Sequence, residues 1–398
     1  MAEPIETDYA ESMANDDDFV VCDTLVVGVG GMGSAALWQL ARRGVKAIGL
    51  ERWDIPHAYG SSHGISRIIR LPYYEDPAYV PLLRRAYELW REIEAATGRE
   101  LLVTTGSVDA SPDDDPLFNG ALASARLHDL EHEVLSGGEV NARFPGYALP
   151  IAHRAVFQPA GGLIASERAI VAHVEAAQAL GAKVRAREPM LHWEAHRGGV
   201  QVTTSKAVYR AERLILTTGA WIGEHAAPLA GRSIPERQVL AWLQPHTPEL
   251  FGPARFPVFN LQVEEGRYYG LPIYDVPGFK FGRYHHRAET AGAIDALSRE
   301  PDSIDEALLR GFAERYFPRG AGATLALRAC LFTNTADEHF IVDHHPKHAN
   351  VVLASPCSGH GYKFCSVMGE ILADLATGSG ETRHDIDFLR LQRPALAA

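Results

Sequence analysis

The chain has 398 residues, 46% of them hydrophobic, which is enough for a sizeable core in roughly two to three domains. Its net charge of −12, with histidine neutral, argues against nucleic acid or an anionic membrane as the main partner. The four cysteines make no CxxC pair and no disulfide framework, so we expect a reducing compartment, and no metal site is predicted. No apolar run of about 18 residues occurs, which argues against a membrane span and favours a cytoplasmic protein.

The first predicted elements along the chain form a nucleotide-binding pattern. Residues 1–18 are acidic and polar, lack the basic and apolar parts of a signal peptide, and are expected to be a mobile tail. A strand at 24–28 then runs into Gly28-Val29-Gly30-Gly31-Met32-Gly33, and a helix at 34–43 and a second strand at 46–51 follow. This order predicts a βαβ unit of the Rossmann type.

The spacing of these glycines fits a dinucleotide. Gly28 permits a tight turn, Gly30 lets the backbone approach a pyrophosphate, and Gly33 lets the helix pack on the strand. Glu51, at the end of the second strand, can accept hydrogen bonds from ribose hydroxyls and would repel a 2′-phosphate, which disfavours NADP. The alternative is a glycine-rich turn beside a surface acid, and the motif alone does not separate FAD from NAD.

The rest of the chain predicts two kinds of structure. The βα elements continue with a helix at 78–97, a strand at 161–164, a helix at 166–180, strands at 183–187, 200–203, 214–217, 340–342 and 351–354, and a helix at 362–377. Residues 235–290 are instead rich in aromatics and proline, with short extended runs that indicate an antiparallel sheet. We therefore predict an α/β protein with two domains. They are a discontinuous Rossmann-type cofactor-binding domain at 19–105, 145–232 and 323–398, and an α+β substrate domain built on the antiparallel sheet at 106–144 and 233–322.

Two lysines have aromatic residues on both sides in the sequence. Lys280 is flanked by Phe279 and Phe281 on a predicted strand, and Lys363 lies between two aromatic residues. Burial of an ammonium group is costly unless a counter-charge or a function compensates, so both lysines are candidate site residues. A surface lysine that extends its ammonium group to water is the alternative for each.

Two arginines and one glycine turn are further candidates for binding negative charge. Arg67 and Arg70 alternate with two isoleucines, and arginine can hold a carboxylate through two hydrogen bonds, although a surface paired with acids has the same spacing. The turn Ser358-Gly359-His360-Gly361 precedes the last helix, and its free amides suit negative charge, with a plain glycine turn as the alternative. Cys330, in an apolar run, is on residue chemistry alone a small buried hydrophobe.

Together these motifs make the chain resemble the monomeric sarcosine oxidase and N-methyltryptophan oxidase family over about residues 20–395. The resemblance rests on the glycine loop and on residues 64–70, 268–272, 330 with 335–340, and 358–364. It implies a monomer whose Rossmann-type domain binds FAD. It also implies that the sulfur of Cys330 holds the FAD covalently, as an 8α-S-cysteinyl link.

The resemblance assigns roles to individual residues. Lys280 matches the lysine beside the flavin that activates oxygen, and Arg70 and Lys363 match the pair that binds the substrate carboxylate. The predicted catalytic residues are Lys280, Arg67, His285 and Tyr269, of which Tyr269 also lines the substrate pocket. The predicted cofactor-binding residues are Gly28, Gly30, Gly31, Met32, Gly33, Glu51, Arg52, Ser61, His63, Ser66, Arg67, Gly219, Trp221, Cys330, Ser358, Gly359, His360, Gly361 and Lys363.

Several positions depart from the pattern of sarcosine oxidases. Ser66 replaces a threonine, Phe332 replaces a pocket tyrosine, and Asn260 replaces a methionine, so the predicted substrate site contains Phe332 and Asn260. The active-site histidine of the family matches Tyr284 if no gap is placed and His285 if one residue is inserted, and we favour His285. These positions line the predicted pocket, so they affect which substrate is expected rather than which reaction.

The activity implied by the resemblance is an FAD-dependent oxidation of small secondary amino acids, such as sarcosine-like N-methyl amino acids. The products are an imine, which hydrolyses to an aldehyde and an amine, and H2O2 from O2. An oxidase of a cyclic imino acid such as pipecolate or proline, and a flavin dehydrogenase with another acceptor, are alternatives. A non-catalytic regulator that binds a dinucleotide is a third.

Overall fold

The structure is a computed structural model that describes residues 19–196, 198–291 and 293–396, so the predicted tail at 1–18 lies outside the described residues. Its strands are, in chain order, β1 (Phe19–Val27), β2 (Ala47–Leu50), β3 (Ser66–Ile69), β4 (Leu102–Thr104), β5 (Ser107–Ser111), β6 (Glu133–Ser136), β7 (Arg154–Gln158), β8 (Gly162–Ala165), β9 (Lys183–Arg185), β10 (Met190–His196), β11 (Gly199–Thr204), β12 (Val208–Leu216), β13 (Ile234–Leu243), β14 (Val258–Val263), β15 (Gly266–Leu271), β16 (Phe279–Arg283), β17 (Thr324–Asn334), β18 (Ile341–His345) and β19 (His348–Ser355). Its α-helices are α1 (Gly31–Arg42), α2 (Val80–Thr97), α3 (Pro116–Leu127), α4 (Gly137–Arg143), α5 (Ser166–Ala179), α6 (Ile222–His225), α7 (Ser303–Tyr316) and α8 (Cys365–Leu375). Within the described ranges, no helix is long and apolar enough to cross a membrane.

The first large sheet carries the nucleotide-binding pattern. β1 runs parallel to β2 on one side and to β12 on the other, and β19 runs parallel to the end of β12. Val26 packs into a core formed with α1, α5 and α8, whereas Leu25 and Val27 pack into a second core on the opposite face. A parallel strand covered on both faces reads as a continuous apolar run, which is how β1 appears in the sequence. The predicted Rossmann-type domain is confirmed.

The second large sheet has the strand order β17-β13-β16-β15-β14-β5-β7-β6, and its neighbours are antiparallel except for β14 and β5. One face carries Phe259, Phe279 and Phe281, which pack with Phe312 of α7 and with Phe317 in an aromatic core. Because side chains alternate along a strand, the residues between these phenylalanines point to the opposite face. The predicted antiparallel sheet is therefore confirmed, and its second face is free to form a site.

The division of the chain between the two large sheets differs from the predicted domain boundaries at two strands. β7 pairs with β5 and β6, and β17 pairs with β13, although the sequence analysis places residues 145–232 and 323–398 with the Rossmann-type sheet. A strand pattern shows which residues alternate but not which strand they will pair with. β7 and β17 thus belong to the second large sheet, and the other predicted domain boundaries remain predictions.

A small third sheet has the strand order β3-β8-β4. β3 pairs with β8, which leads directly into α5 of the Rossmann-type domain. Arg67 lies within β3 and Arg70 follows it, so this sheet sets the position of both predicted arginines. The pattern of arginines and isoleucines at residues 67–70 therefore arises from a β-strand rather than a helix.

Candidate active site

One cavity of about 500 Å³ lies between the carboxyl ends of β1, β2 and β12 and the inner face of the second sheet. The predicted site residues in its lining are Gly28, Gly30, Gly31, Met32, Glu51, Arg52, Ser61, Ser66, Arg67, Arg70, Gly219, Trp221, Asn260, Tyr269, Lys280, Cys330, Phe332, Gly359, His360, Gly361 and Lys363. The predicted residues outside the lining are Gly33, His63, His285 and Ser358. The cavity thus joins the predicted dinucleotide site to the predicted substrate site.

The glycine loop requires glycine for steric reasons. Gly28 has a φ of +95°, and a Cβ atom on it would lie 2.4 Å from the carbonyl oxygen of Thr217. A Cβ atom on Gly33 would lie 1.9 Å from the carbonyl oxygen of Gly28, because α1 crosses β1 closely at this point. Gly33 lies outside the cavity lining, and its lack of a side chain allows α1 to pack closely against the glycine loop. α1 begins at Gly31, so its N-terminal end lies at the wall, as phosphate binding requires, and the Gly31 amide donates to Ser62 Oγ at 3.2 Å.

Buried polar atoms in the lining fit a polar ligand such as FAD. Ser61 Oγ, Thr218 Oγ1 and Trp221 Nε1 are buried without a hydrogen-bond partner in the described part of the chain. Such atoms are rare in folded proteins unless a ligand or water satisfies them. The amides of the glycine loop and these three atoms therefore form a donor and acceptor set suited to a dinucleotide.

Glu51 lines the cavity directly after β2. Its oxygens accept hydrogen bonds from the amides of Val29 at 2.9 Å and Trp53 at 3.1 Å, and burial raises the pKa of its carboxyl group. Trp53 packs against Trp221 with ring centroids 4.6 Å apart, and the guanidinium carbon of Arg52 lies 4.7 Å from the Trp53 ring centre. Trp53 was not predicted as a site residue. The one feature of the sequence that could have identified it is its position directly after Glu51 and Arg52.

Cys330, on β17, has the surroundings of a reactive thiol. Its side chain is buried, and Sγ lies 3.7 Å from a guanidinium nitrogen of Arg67. Burial raises the pKa of the thiol, but His63 and Arg67 outweigh it and lower the pKa from 9.0 to about 6. A low thiol pKa makes the thiolate abundant at neutral pH, and the thiolate is the nucleophile. His63 thus acts on the site through Cys330 although it does not line the cavity.

Lys280, on β16, has a buried side chain. Its Nζ donates to the carbonyl oxygen of Gly64 at 2.7 Å and to that of Ser66, and it makes no ion pair within the described ranges. Burial, and then the charge of Arg67, lower the pKa of the ammonium group well below its usual value. A cation held by neutral carbonyl groups keeps its field available to negative charge that develops in the cavity.

The predicted carboxylate site contains two acidic residues that sequence reasoning missed. Lys363 donates from Nζ to the carbonyl oxygen of His360 at 2.7 Å. Arg70 donates from Nη2 to the two oxygens of Glu75, at 2.8 and 2.7 Å, and its Nε lies 3.5 Å from Asp109. A ligand carboxylate would have to share Arg70 with Glu75 and Asp109. Lys363 makes no ion pair with a described residue, so it is the freer of the two cations.

The structure corrects the prediction of His285. The imidazole of His285 is 45% exposed and lies 2.8 Å from Glu236 and 3.2 Å from Glu338, which raise its pKa to about 9. Tyr284 lines the cavity instead, with its ring centroid 5.1 Å from that of Tyr269. The reason is strand alternation: β16 places Lys280 on the cavity face, and every second residue after it faces the same way. The ungapped match to Tyr284 therefore describes the geometry.

Two further residues beside Tyr284 were not predicted. The guanidinium carbon of Arg267 lies 3.7 Å from the Tyr284 ring centre, and Arg267 Nε and Tyr74 Oη are buried without a hydrogen-bond partner among the described residues. Arg267 shares a face of β15 with Tyr269, so the alternation of side chains along β15 could have identified Arg267 as a site residue.

Ser358 accepts a hydrogen bond from a backbone amide at 3.3 Å and supports its turn rather than lining the cavity. In the described ranges, no group of three or more His, Cys, Asp or Glu side chains is placed to hold a metal ion.

Comparisons with known proteins agree with this geometry. The model of a family described as FAD dependent oxidoreductase matches residues 23–375. Monomeric sarcosine oxidase of Bacillus sp. (strain NS-129) is 39% identical over 379 residues, which covers 94% of this chain and 97% of that protein. N-methyl-L-tryptophan oxidase of Yersinia pestis (strain Pestoides F) is 31% identical over 355 residues, or 88% of this chain and 94% of that protein.

A solved structure gives the same answer for the fold. NikD, described as an unusual amino acid oxidase essential for nikkomycin biosynthesis, superposes with a TM-score of 0.81 at 25% identity, over 93% of this chain and 97% of that one. The family model and the two relatives each cover most of the present chain. The chain therefore belongs to the FAD-dependent oxidoreductase family, in the group that contains the monomeric sarcosine oxidases and N-methyl-L-tryptophan oxidases.

Proposed function

We propose that this chain oxidises small secondary amino acids, with sarcosine-like N-methyl amino acids as substrates and O2 as electron acceptor. The observation that carries the proposal is a single cavity in which the dinucleotide loop, Cys330 and the three buried basic side chains of Lys280, Arg70 and Lys363 face one space. For an N-methyl amino acid, the overall reaction consumes O2 and water and releases the primary amino acid, formaldehyde and H2O2. The names of the two relatives described above support this substrate class.

In this proposal, bound FAD would supply the redox chemistry by accepting a hydride equivalent from the C–H bond next to the amine nitrogen, which turns the C–N bond into the C=N bond of an imine. The residues of the chain bind and orient the substrate. Lys363 and Arg70 hold its carboxylate, which positions the amine inside the cavity. The same cations disfavour a protonated amine, so the neutral amine, whose C–N bond can be oxidised, is the form that is bound. Tyr269, Tyr284 and Phe332 line this end of the cavity and displace water.

We infer that FAD is attached covalently to Cys330. The buried thiolate beside Arg67 supports this, because attack on the 8α-methyl carbon needs a nucleophilic sulfur. The C–S bond replaces one methyl C–H bond and the S–H bond, and O2 takes the two electrons and two protons as H2O2. After acid precipitation, wild-type protein should leave yellow flavin in the pellet, whereas Cys330→Ala should release it. Cys365→Ala is the matched control, and a colourless wild-type pellet would show that the link is absent.

The binding of a carboxylate should depend on the protonation of Lys363. Burial, and then the charge of Arg70, lower the pKa of its ammonium group from 10.5 to about 7. The charge is therefore present below about pH 7 and is lost as the pH rises through that value. We expect the Kd of acetate, measured by its effect on the flavin spectrum, to rise by up to about tenfold per pH unit above 7. Lys363→Met should remove this rise; a flat wild-type profile would contradict the assignment.

The proposal includes a monomer that acts in the cytoplasm on a small amino acid and O2. Cys22, Cys330, Cys357 and Cys365 are unpaired in the structure, which fits a reducing compartment. The group name of the monomeric sarcosine oxidases supports the oligomeric state. Gel filtration with light scattering tests it, and a mass of twice 43.5 kDa would contradict it.

The proposed substrate class is tested by a screen for H2O2 production. The panel should contain sarcosine, N-methyl-L-alanine, larger N-methyl amino acids, L-proline and L-pipecolate, with the matching primary amino acids as controls. We expect H2O2 with one or more N-methyl amino acids and little with the primary ones. Turnover with L-proline or L-pipecolate alone would indicate a cyclic imino acid oxidase, and turnover with a dye but not with O2 would indicate a dehydrogenase.

A further inference from the structure

Asp109 and Asn260 form a buried polar pair on the cavity side of the second sheet. They lie opposite each other on the parallel strands β5 and β14, and Asn260 lies opposite Tyr269 on the antiparallel strand β15. Residues opposite each other in neighbouring strands share a face, so all three side chains are directed towards the cavity side. Asn260 and Tyr269 line the cavity, and Asp109 stands behind Asn260.

The hydrogen bond within the pair fixes the direction of the Asn260 amide. Nδ2 donates to Asp109 Oδ1 at 2.7 Å, and the two residues are 2% and 1% exposed. A carboxylate only accepts, so the amide nitrogen faces Asp109 and the carbonyl oxygen faces away from it. No described residue donates to this carbonyl oxygen, which leaves an acceptor in the cavity wall. On balance burial raises the pKa of Asp109, although Arg70, 3.5 Å from the same oxygen, acts in the opposite direction.

The pair lies next to the residues that would hold a substrate carboxylate. Asp109 Oδ1 is shared, since Asn260 Nδ2 and Arg70 Nε both approach it, at 2.7 and 3.5 Å. Asp109 Oδ2 and Arg70 Nε are also buried without a hydrogen bond within the described ranges. A substrate whose carboxylate lies at Arg70 and Lys363 would lie beside Asn260, and we take the substituent on its α-carbon as the group that faces the Asn260 carbonyl oxygen.

We propose that Asn260, held in place by Asp109, selects secondary amino acids whose side chain carries a neutral hydrogen-bond donor, such as a hydroxyl group or an amide N–H. This inference rests on the proposed function. An apolar side chain would cover the carbonyl oxygen of Asn260 without donating to it, and a buried acceptor that loses its partner weakens binding. A cationic side chain would meet Arg70 and Lys363, and an anionic one would meet the carbonyl oxygen and Asp109.

The sharpest comparison uses two substrates that differ by one hydroxyl group, N-methyl-L-serine and N-methyl-L-alanine. We expect kcat/KM to favour the serine derivative by about tenfold or more in the wild type. Asn260→Leu keeps the side-chain shape, removes the acceptor and should abolish this preference. Asp109→Asn should reduce the preference, because a neutral amide no longer forces the direction of the Asn260 side chain. A purely structural role of Asp109 would instead lower both kcat/KM values and leave their ratio unchanged.

Gln262→Leu is the matched control, since Gln262 is also an amide on β14, two residues from Asn260, and lies outside the cavity lining. This variant should keep the wild-type ratio. Equal kcat/KM values for the two substrates in the wild type, or the same ratio in wild type and Asn260→Leu, would overturn the inference. A preference for N-methyl-L-aspartate over both would overturn it as well.

A binding measurement separates this inference from the proposed function. Propanoate and 3-hydroxypropanoate differ by the same hydroxyl group and carry no amine, so their Kd values, from changes in the flavin spectrum, need no turnover. We expect 3-hydroxypropanoate to bind about tenfold more tightly to the wild type and equally to Asn260→Leu. If no secondary amino acid is oxidised but this difference is found, the proposed function fails while the role of Asn260 stands. If oxidation occurs but the difference is absent, only the role of Asn260 fails.

Discussion

Replacement of Lys280 by methionine should slow the reaction of the reduced enzyme with O2 by about 10²- to 10³-fold and should change anaerobic reduction by substrate far less. Transfer of the first electron to O2 creates negative charge, which a nearby cation stabilises. Lys280 is suited to this because Nζ has only carbonyl partners in the described structure, with Gly64 at 2.7 Å. Methionine has a similar length and removes the charge, so the loss reports on electrostatics rather than on packing.

The measurement is stopped-flow mixing of anaerobically reduced enzyme with O2 at several concentrations. Lys347→Met is the matched control, since Lys347 lies on an exposed turn between β18 and β19. It should reoxidise like the wild type. A Lys280→Met variant that also reoxidises like the wild type would show that another group activates O2. If reduction by substrate slows as much as reoxidation does, the substitution has disturbed the whole site instead.

Replacement of Lys363 by methionine should lower kcat/KM for an N-methyl amino acid by about 10- to 100-fold, mainly through KM. Lys363 is the cation of the pair that has no carboxylate partner in the described ranges, and its Nζ is held by the carbonyl oxygen of His360 at 2.7 Å. Loss of its charge removes a charge-assisted hydrogen bond to the substrate carboxylate. Lys347→Met again serves as the control. An unchanged KM would place the carboxylate elsewhere.

Arg70→Ala should produce a different result from Lys363→Met. Arg70 binds Glu75 through two hydrogen bonds and lies 3.5 Å from Asp109, and all three side chains are buried. Its removal leaves two unpaired buried carboxylates, which costs about 3–5 kcal/mol of stability when a buried pair is broken. We therefore expect a lower Tm together with a higher KM for Arg70→Ala, and a higher KM without a comparable loss of Tm for Lys363→Met.

The parts of the fold that were predicted correctly are those set by local sequence. The glycine loop is recognisable from the spacing of its glycines and β1 from its apolar run, and the structure shows why glycine is required: a Cβ atom on Gly28 would meet Thr217, and one on Gly33 would meet Gly28. The antiparallel sheet was also predicted from short extended runs. The partners of β7 and β17 were not, because pairing is decided by tertiary contacts that leave no local mark.

The site residues also divide into those that local sequence identifies and those that depend on tertiary contacts. Lys280 and Lys363 were identified because a lysine among aromatic residues is unusual in any context. His285 was chosen by family pattern, whereas the period of two along β16 would have selected Tyr284. Glu75 and Asp109 were missed as partners of Arg70. Asp109 is 39 positions from Arg70 in the chain and meets it only because β5 belongs to the second sheet.

An anaerobic titration of the purified protein with N-methyl-L-alanine and with N-methyl-L-serine, followed by air, decides whether the protein is an oxidase of secondary amino acids. We expect one or both to bleach the flavin absorbance, and we expect air to restore it with one H2O2 formed per substrate oxidised. The matching primary amino acids, L-alanine and L-serine, should bleach it far more slowly. Failure of every secondary amino acid in the panel to bleach the flavin, or bleaching that air does not reverse, would contradict the assignment as an oxidase of secondary amino acids.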